Sequence, residues 1–507
     1  MTIPELKVRT RKLSVGGFVL VASPRRRKVA AQSRREQAGS SRSVQEDENE
    51  RGLEDKQKEA NPNSQNTAQD WIITIKERLD QVPASASEGG QSSLHRSIFR
   101  VPRNLREMDQ KAYVPQIVSI GPYHHGKARL QEMEKQKWRL LRHVLERTSH
   151  PVELYLEAMV GLEEKARQCY SKPIDNMDSR EFVEMMLLDA CFILELLNAS
   201  VKGIIHCGYS WGDPVFTSRG VVPCIQRDLL MLENQLPLFV LDRLFALTCD
   251  PNETTESVSQ LALEFFDSVI PGCRNQQHEL KNGNDPGLHL LHVVRQCLLP
   301  SSSKHSFQRI PSSIRQRNKH KPQLMTHCVT MLRDAGVKFR KNESTKFMDI
   351  KFKKGILYIP PLVIHDSTKS IFLNLMAFEQ CYPHCSNHVT SYVNFMDGLV
   401  NSPQDVGYLR YRGIIDHGLG NEEEVADLLN RLCREVAFDI NDCYLSGVSF
   451  DLNRYFEHKW HAWRASLKHD YFNSPWAIIS LLAAIFLIGL TLTQTVYGIL
   501  AYYAPLF

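Results

Sequence analysis

Between Asp470 and the C-terminus the chain carries no charged side chain, and within that stretch residues 477–497 read AIISLLAAIFLIGLTLTQTVY. About 21 residues rising ~1.5 Å each make a helix of roughly 31 Å, the thickness of a bilayer's hydrocarbon core. The Leu, Ile, Val and Phe side chains, each favouring insertion by roughly 0.3–0.6 kcal/mol, outweigh one Gln and several hydroxyls gathered mostly toward one end. Trp476 marks one interface and Tyr497, Tyr502 and Tyr503 the other, where amphipathic rings settle at headgroup level. The sequence therefore predicts a transmembrane helix over 477–497 followed by a short far-side tail, 498–507. A buried core helix is the competing reading, but one this long rarely lacks charge throughout.

Lys459, Arg464 and Lys468 stand just before the span, and only the terminal carboxylate follows it. The excess of basic residues on the N-terminal side predicts that this side is cytosolic. A span so near the terminus is expected to insert after synthesis, the tail-anchored arrangement. The plasma membrane and the endoplasmic reticulum are the expected hosts, and the lipid bilayer is the first expected partner.

The 507-residue chain as a whole has an ordinary globular balance, 42% hydrophobic and 23% charged. Residues 1 to about 90 are poor in aromatics and rich in Ser, Gln, Glu, Lys and Arg. Such a composition cannot offset the entropy of ordering, so 1–70 is expected as a disordered basic and polar extension. Within it Leu13–Ala22 has the basic flank and short apolar run of a targeting signal, but it is broken by two glycines and followed by the Arg25–Lys28 basic cluster. A solvated tail is the preferred reading. The net charge of +5 lies largely in this segment, so no nucleic-acid partner is expected.

Residues 71–470 are expected to form a mainly helical domain. A first amphipathic helix is predicted at Trp71, and helical periodicity then marks Leu140–Val144, Glu181–Leu197, Ser370–Gln380, Val389–Leu399 and Glu422–Val436. Glu181–Leu197 is apolar on most of its circumference. Glu184, Asp189 and Glu195 inside it exclude a membrane span, because each charge at a bilayer centre costs roughly 2.5–3.5 kcal/mol. A second apolar segment, Arg227–Leu247, is expected to kink or divide at Pro237. The polar stretch 301–323 reads as a loop or linker. Phe347–Phe352 and Gly355–Pro360 are short, β-branched or aromatic, and bounded by turn residues, which predicts a small β-hairpin. The fold class expected is mainly α with that hairpin and one C-terminal transmembrane helix.

Several blocks, taken in order, form a recognisable pattern: Ile98-Phe-Arg-Val-Pro102, Tyr113-Val-Pro-Gln-Ile-Val-Ser-Ile-Gly-Pro-Tyr-His-His-Gly126, Met133-Glu-Lys-Gln-Lys-Trp138, Asp228-Leu-Leu-Met-Leu-Glu-Asn-Gln-Leu-Pro237, Ala377-Phe-Glu-Gln-Cys381 and Pro475-Trp476. Over roughly residues 70–507 the chain resembles the plant family called domain of unknown function 247. The resemblance implies a plant-specific, single-span membrane protein without assigned activity. Some grass members are linked to pollen–stigma self-incompatibility. The resemblance implies no catalytic residues.

His124 and His125, on a loop bounded by Gly and Pro, could titrate or bind a metal. Neighbouring side chains point to different sides, however, so a turn with one packed and one exposed ring is the preferred reading. Asp189 and Glu233, followed by Asn234 and Gln235, lie in apolar segments. They read either as an acid–base pair or, preferably, as a polar network fixing helix packing. Cys191 or Cys381 with a histidine could supply a nucleophile and base, as scattered Cys and His residues often could. Cys381, His384, Cys385 and His388 form only a weak zinc pattern, without a second pair downstream. The twelve cysteines are otherwise scattered singly and read as reduced thiols. With no phosphate loop, GxSxG or HExxH, the expected catalytic, cofactor and metal assignments are none, and no small-molecule substrate is identified.

The expected function is a membrane-tethered interaction or signalling domain in the cytosol, binding proteins of unknown identity. The alternatives are a membrane-anchored enzyme and, with reversed topology, a lumenal or extracellular recognition protein. Topology bears on the sequons at Asn198, Asn252 and Asn342, which are expected to stay unglycosylated.

Overall fold

The computed structural model describes residues 96–503 apart from 217, 219, 249–255, 275–287, 300–326, 345, 435, 439–442 and 458–474. The expectations for residues 1–70, for Leu13–Ala22, for a helix at Trp71 and for the linker at 301–323 all lie outside the described residues. The described part is mainly helical, with two small sheets.

The short helix α1 (Arg103–Met108) precedes α2 (Gln131–Thr148), α3 (Val152–Val160) and α4 (Glu163–Gln168). The last three pack against α5 (Ser179–Lys202). Asp178 caps α5 by accepting from the Glu181 amide, and Gly203, at φ 90°, ends it. Its side chains from Phe182 to Ala199 are buried apart from Glu184, as an all-round apolar pattern requires. Asp189 and Glu195 are buried within it and ion-paired to Lys137 and Arg147.

The segment around Pro237 divides earlier than expected. Helix α6 (Val221–Leu229) stops eight residues before the proline, and α7 (Leu238–Thr248) starts immediately after it. Side chains rather than the ring make this break. Gln235 donates to the Leu229 and Met231 carbonyls, and Leu232 N–H donates to Asn374, so the backbone groups released by unwinding remain paired. Helix α8 (Val258–Phe266), opened by a Ser257–Gln260 capping box, packs on α5 and on α9 (Leu290–Leu298). Cys273 and Cys297, with Cα atoms 5.7 Å apart, form a disulfide, which corrects the expectation of reduced thiols throughout.

After α10 (Val329–Asp334) come β1 (Lys338–Lys341), β2 (Lys351–Lys353) and β3 (Ile356–Ile359). Strands β2 and β3 form the expected hairpin. Its two turn residues, Lys354 and Gly355, both have positive φ, 50° and 75°, the pairing that matches strand twist in a two-residue loop. Strand β1 adds in parallel to β3, and β4 (Leu362–Ile364) pairs in parallel with the distant β5 (Ile415–His417). Neither parallel pairing was anticipated, because three- and four-residue strands are too short to show alternation.

Helices α11 (Thr368–Cys381), α12 (His388–Leu399), α13 (Pro403–Tyr411), α14 (Glu422–Leu432) and α15 (Ser446–Glu457) complete the domain. Helix α14 carries the expected acids in its first turn but stops four residues short of Val436. One continuous apolar core runs from Ile98 to Leu452. Helix α16 (Pro475–Tyr503) contains Leu482–Leu500, of mean hydropathy 1.8 and wholly outside that core. By length and composition it can cross a membrane, with its apolar window placed slightly later than 477–497.

Candidate functional site

The densest polar chemistry lies where residues 97–127 thread the core without joining any sheet. Their backbone amides need acceptors, and side chains supply them. The Asp228 carboxylate accepts from the amides of Gln116, Ile117 and Val118, at 2.8, 2.8 and 3.1 Å to Oδ2. Asn234 Oδ1 accepts from Ile120 N (2.8 Å), Asp189 Oδ2 from Gly121 N (2.7 Å) and Glu233 Oε1 from Val101 N (2.7 Å). Gly121, at φ 70°, passes so close to the Gln235 backbone that a Cβ there would lie 2.5 Å from its carbonyl oxygen. Only glycine satisfies both conditions.

Asp228→Ala would leave the buried Val118 amide and the part-buried Gln116 and Ile117 amides without this acceptor, at about 1–3 kcal/mol for the buried one and less for each of the others. We expect a loss of about 3 kcal/mol or more in denaturant unfolding, with Asp228→Asn intermediate because one oxygen can still accept. A change under 1 kcal/mol for the alanine variant would show that the segment is held by other means.

Lys137 is fully buried and donates to Ser119 O, Glu134 and Asp189. Burial pushes the Asp189 carboxyl up, against the opposing pull of Lys137. Glu379 is also fully engaged: it takes Arg295 and Val389 N on one oxygen and the amide and hydroxyl of Thr390 on the other, which caps the start of α12. It lines an open depression with Gln380, Asn387 and Phe438, but its own acceptors are spent inward.

Glu233, with its side chain wholly buried, is ion-paired to Arg100 (3.1 Å) and Arg106. His124 Nε2 lies 3.6 Å away on the same carboxylate, and Lys127 Nζ meets His124 Nδ1. An ammonium can only donate, so Nδ1 accepts and the ring proton sits on Nε2, facing Glu233. Burial, reinforced by Lys127, Arg100, Arg106 and Arg129, lowers the imidazole to about 3 and keeps it neutral. His125 is half-buried, 3.8 Å from Glu181. The turn with one packed and one more open ring is thus what the fold contains.

Asp189 and Glu233 do not face one another as an acid and base; each has its own cations. Burial pushes the Cys191 thiol well up and the Cys381 and Cys385 thiols up to about 11, so none is poised as a thiolate. His384 packs edge-on to Tyr382, His388 stacks on Tyr444, and Cys385 donates to the Tyr382 carbonyl. Among the described residues no three Cys, His, Asp or Glu groups converge as metal ligands. Sequence reasoning missed Arg100, Arg106, Lys127 and Lys137. The available signal was the acids themselves, since each buried carboxylate requires a cation or amides.

The model of a family described as plant protein of unknown function matches residues 98–490. This is narrower at both ends than the 70–507 read from the sequence. The chain is 33% identical over 421 residues to the UPF0481 protein At3g47200 of Arabidopsis thaliana, covering 80% of this chain and 86% of that protein. It is 25% identical over 515 residues to the Putative UPF0481 protein At3g02645 of the same plant, covering 84% and 93%. No solved structure matches.

Proposed function

Because this chain belongs to the plant family called domain of unknown function 247, whose description assigns no activity, we propose from its own architecture that it is a single-pass membrane-tethered protein. In this reading its helical domain engages other proteins from the cytosolic side. One observation carries the tether: Leu482–Leu500 is a continuous apolar helix with none of its window buried against the domain. The interaction role rests on how the domain uses its charge. The buried carboxylates Asp228, Asp189 and Glu379 are satisfied by backbone amides and cations, so they hold segments together rather than converge on a reactive centre. The proposal assigns the domain no catalysis.

Deleting 477–507 is expected to move the protein from the carbonate-resistant membrane fraction to the soluble fraction. Truncated protein that stayed in the membrane fraction would overturn the tether.

The cytosolic side is favoured by Lys459, Arg464 and Lys468 before the span. A lumenal or extracellular domain is the second reading, favoured by the Cys273–Cys297 disulfide, which suits an oxidising compartment. The sequon at Asn198 cannot decide between them, because Asn198 is buried at 6% exposure and closed to modification in the folded domain on either side. Protease added to intact microsomes gives the discriminating result: digestion of the domain supports the cytosolic reading, and protection supports the lumenal one.

A further inference from the structure

Four cations gather around the single buried carboxylate of Glu233. Arg100 and Arg106 reach it directly with side chains about one-third exposed, at 34% and 31%. Lys127, joined to Glu233 through His124, and Arg129, whose charge is felt at both His124 and Lys127, are exposed. One acid against four cations leaves a local excess of positive charge, and the mutual repulsion is sensed inside the cluster. The Lys127 ammonium is lowered first by burial and then by Arg129, Arg100 and Arg106, with only Glu233 opposing. Among the described residues Arg129 has no ion-pair or hydrogen-bond partner. Lys127 spends one donor on His124, and Arg100 lies over the Tyr123 ring, 3.9 Å from guanidinium carbon to centroid. Several N–H donors are therefore left facing solvent. His124, buried at 1% exposure, has no hydrogen-bond partner for Nε2.

The cluster is also held in place before any ligand arrives. The loop that carries Lys127 is pinned at Gly121 by Asp189 and at Ile120 by Asn234, and Arg100 adjoins Val101, whose amide is bound by Glu233. Stacking on Tyr123 fixes one guanidinium. Donors already ordered lose little freedom on binding, and arginine forks match the oxygens of a phosphate group.

We propose that Arg100, Arg106, Lys127 and Arg129 form a binding site for a phosphate-bearing small group, with Glu233 and His124 as its buried floor. Glu233 holds the two arginines side by side while neutralising only one positive charge. The remaining donors take the phosphate oxygens. This site adds a ligand to the tethering role and does not depend on it. The phosphate could be free in solution or carried on an inositol lipid headgroup, and the chemistry of recognition is the same.

The test uses the full-length protein in neutral detergent micelles, titrated calorimetrically at low salt with two probes: soluble inositol hexakisphosphate and micellar short-chain phosphatidylinositol 4,5-bisphosphate. Saturable binding of at least one probe is expected, weakened at least tenfold by Lys127→Ala/Arg129→Ala and steeply by added salt. Because Lys127→Ala also removes the donor to buried His124, Arg129→Ala alone, expected to weaken binding in the same direction, serves as the second variant, and an unchanged melting temperature checks that each variant folds. Arg103→Ala, which removes an exposed arginine paired only with Glu107, should leave binding within twofold. Binding of both probes supports the site with free phosphate as a sufficient source. Binding of the lipid alone assigns the headgroup as the source. Binding of neither probe, or binding that the double variant leaves unchanged, would overturn the proposal.

Discussion

Lys137→Met should cost about 3–5 kcal/mol of folding stability, because it strands the buried Asp189 carboxylate without its cation. The carboxylate would still accept from Gly121 N, but one amide cannot compensate a buried charge. Adding Asp189→Asn should recover most of the loss. The amide oxygen can keep the Gly121 bond while the charge disappears, and methionine fills the lysine's volume. Asp189→Asn alone should be milder than Lys137→Met, since Lys137 keeps Glu134 and the Ser119 carbonyl. Denaturant melts of the four proteins form a double-mutant cycle. A double variant as unstable as the sum of the singles would mean the pair is not coupled, contrary to its geometry.

Acidification should destabilise the domain just as strongly. Burial lowers the imidazoles of His124, His289 and His292 to about 3 and that of His388 to about 4. Their folded values lie below the ordinary 6.5 of the unfolded chain. The stability they contribute is therefore complete above pH 6.5 and is lost as pH falls toward 3 to 4. At pH 5 each neutral imidazole withholds a proton that the unfolded chain accepts, worth on the order of 2 kcal/mol. Asp189, Asp228, Asp242 and Asp397 work in the opposite sense: burial raises their carboxyls, so each takes up a proton in the folded state first and offsets part of that loss. The imidazole shifts are the larger, and His327 is lowered as well, so a net loss of stability is expected between pH 7 and pH 5. Unfolding midpoints measured across that range should fall steadily. A flat or rising profile would show that these rings are protonated in the folded protein. His289→Gln should reduce the slope by removing one of the titrating groups.

Topology changes what each of these properties means. A disulfide at Cys273–Cys297 and an acid-labile core would both matter more to a domain that meets the lumen or apoplast than to one kept in the cytosol. The microsome experiment therefore ranks before any search for partners.

The apolar helix near the C-terminus was legible because length and absence of charge are local properties. Nothing elsewhere in the chain has to be known for a helix spanning about 30 Å of hydrocarbon to be recognised. The buried helix at Ser179–Lys202 was legible for the same reason, and so was the hairpin at Lys351–Ile359, whose turn residues are adjacent. The family was legible from the order of its blocks. What those blocks do was not. Nothing local marks Asp228, which collects amides more than a hundred residues upstream in sequence. Nothing local marks Lys137 either, which is fully buried against Asp189. The cation cluster at Arg100, Arg106, Lys127 and Arg129 exists only in the closed chain, where Glu233 holds the two arginines and Asn234 and Asp189 pin the loop that carries Lys127. Periodicity reports which residues one helix or strand presents to one side. The pairing of a buried carboxylate with distant amides and cations is settled only when the chain has closed on itself, because the cost of desolvating each group has meaning only in the presence of the partner that relieves it.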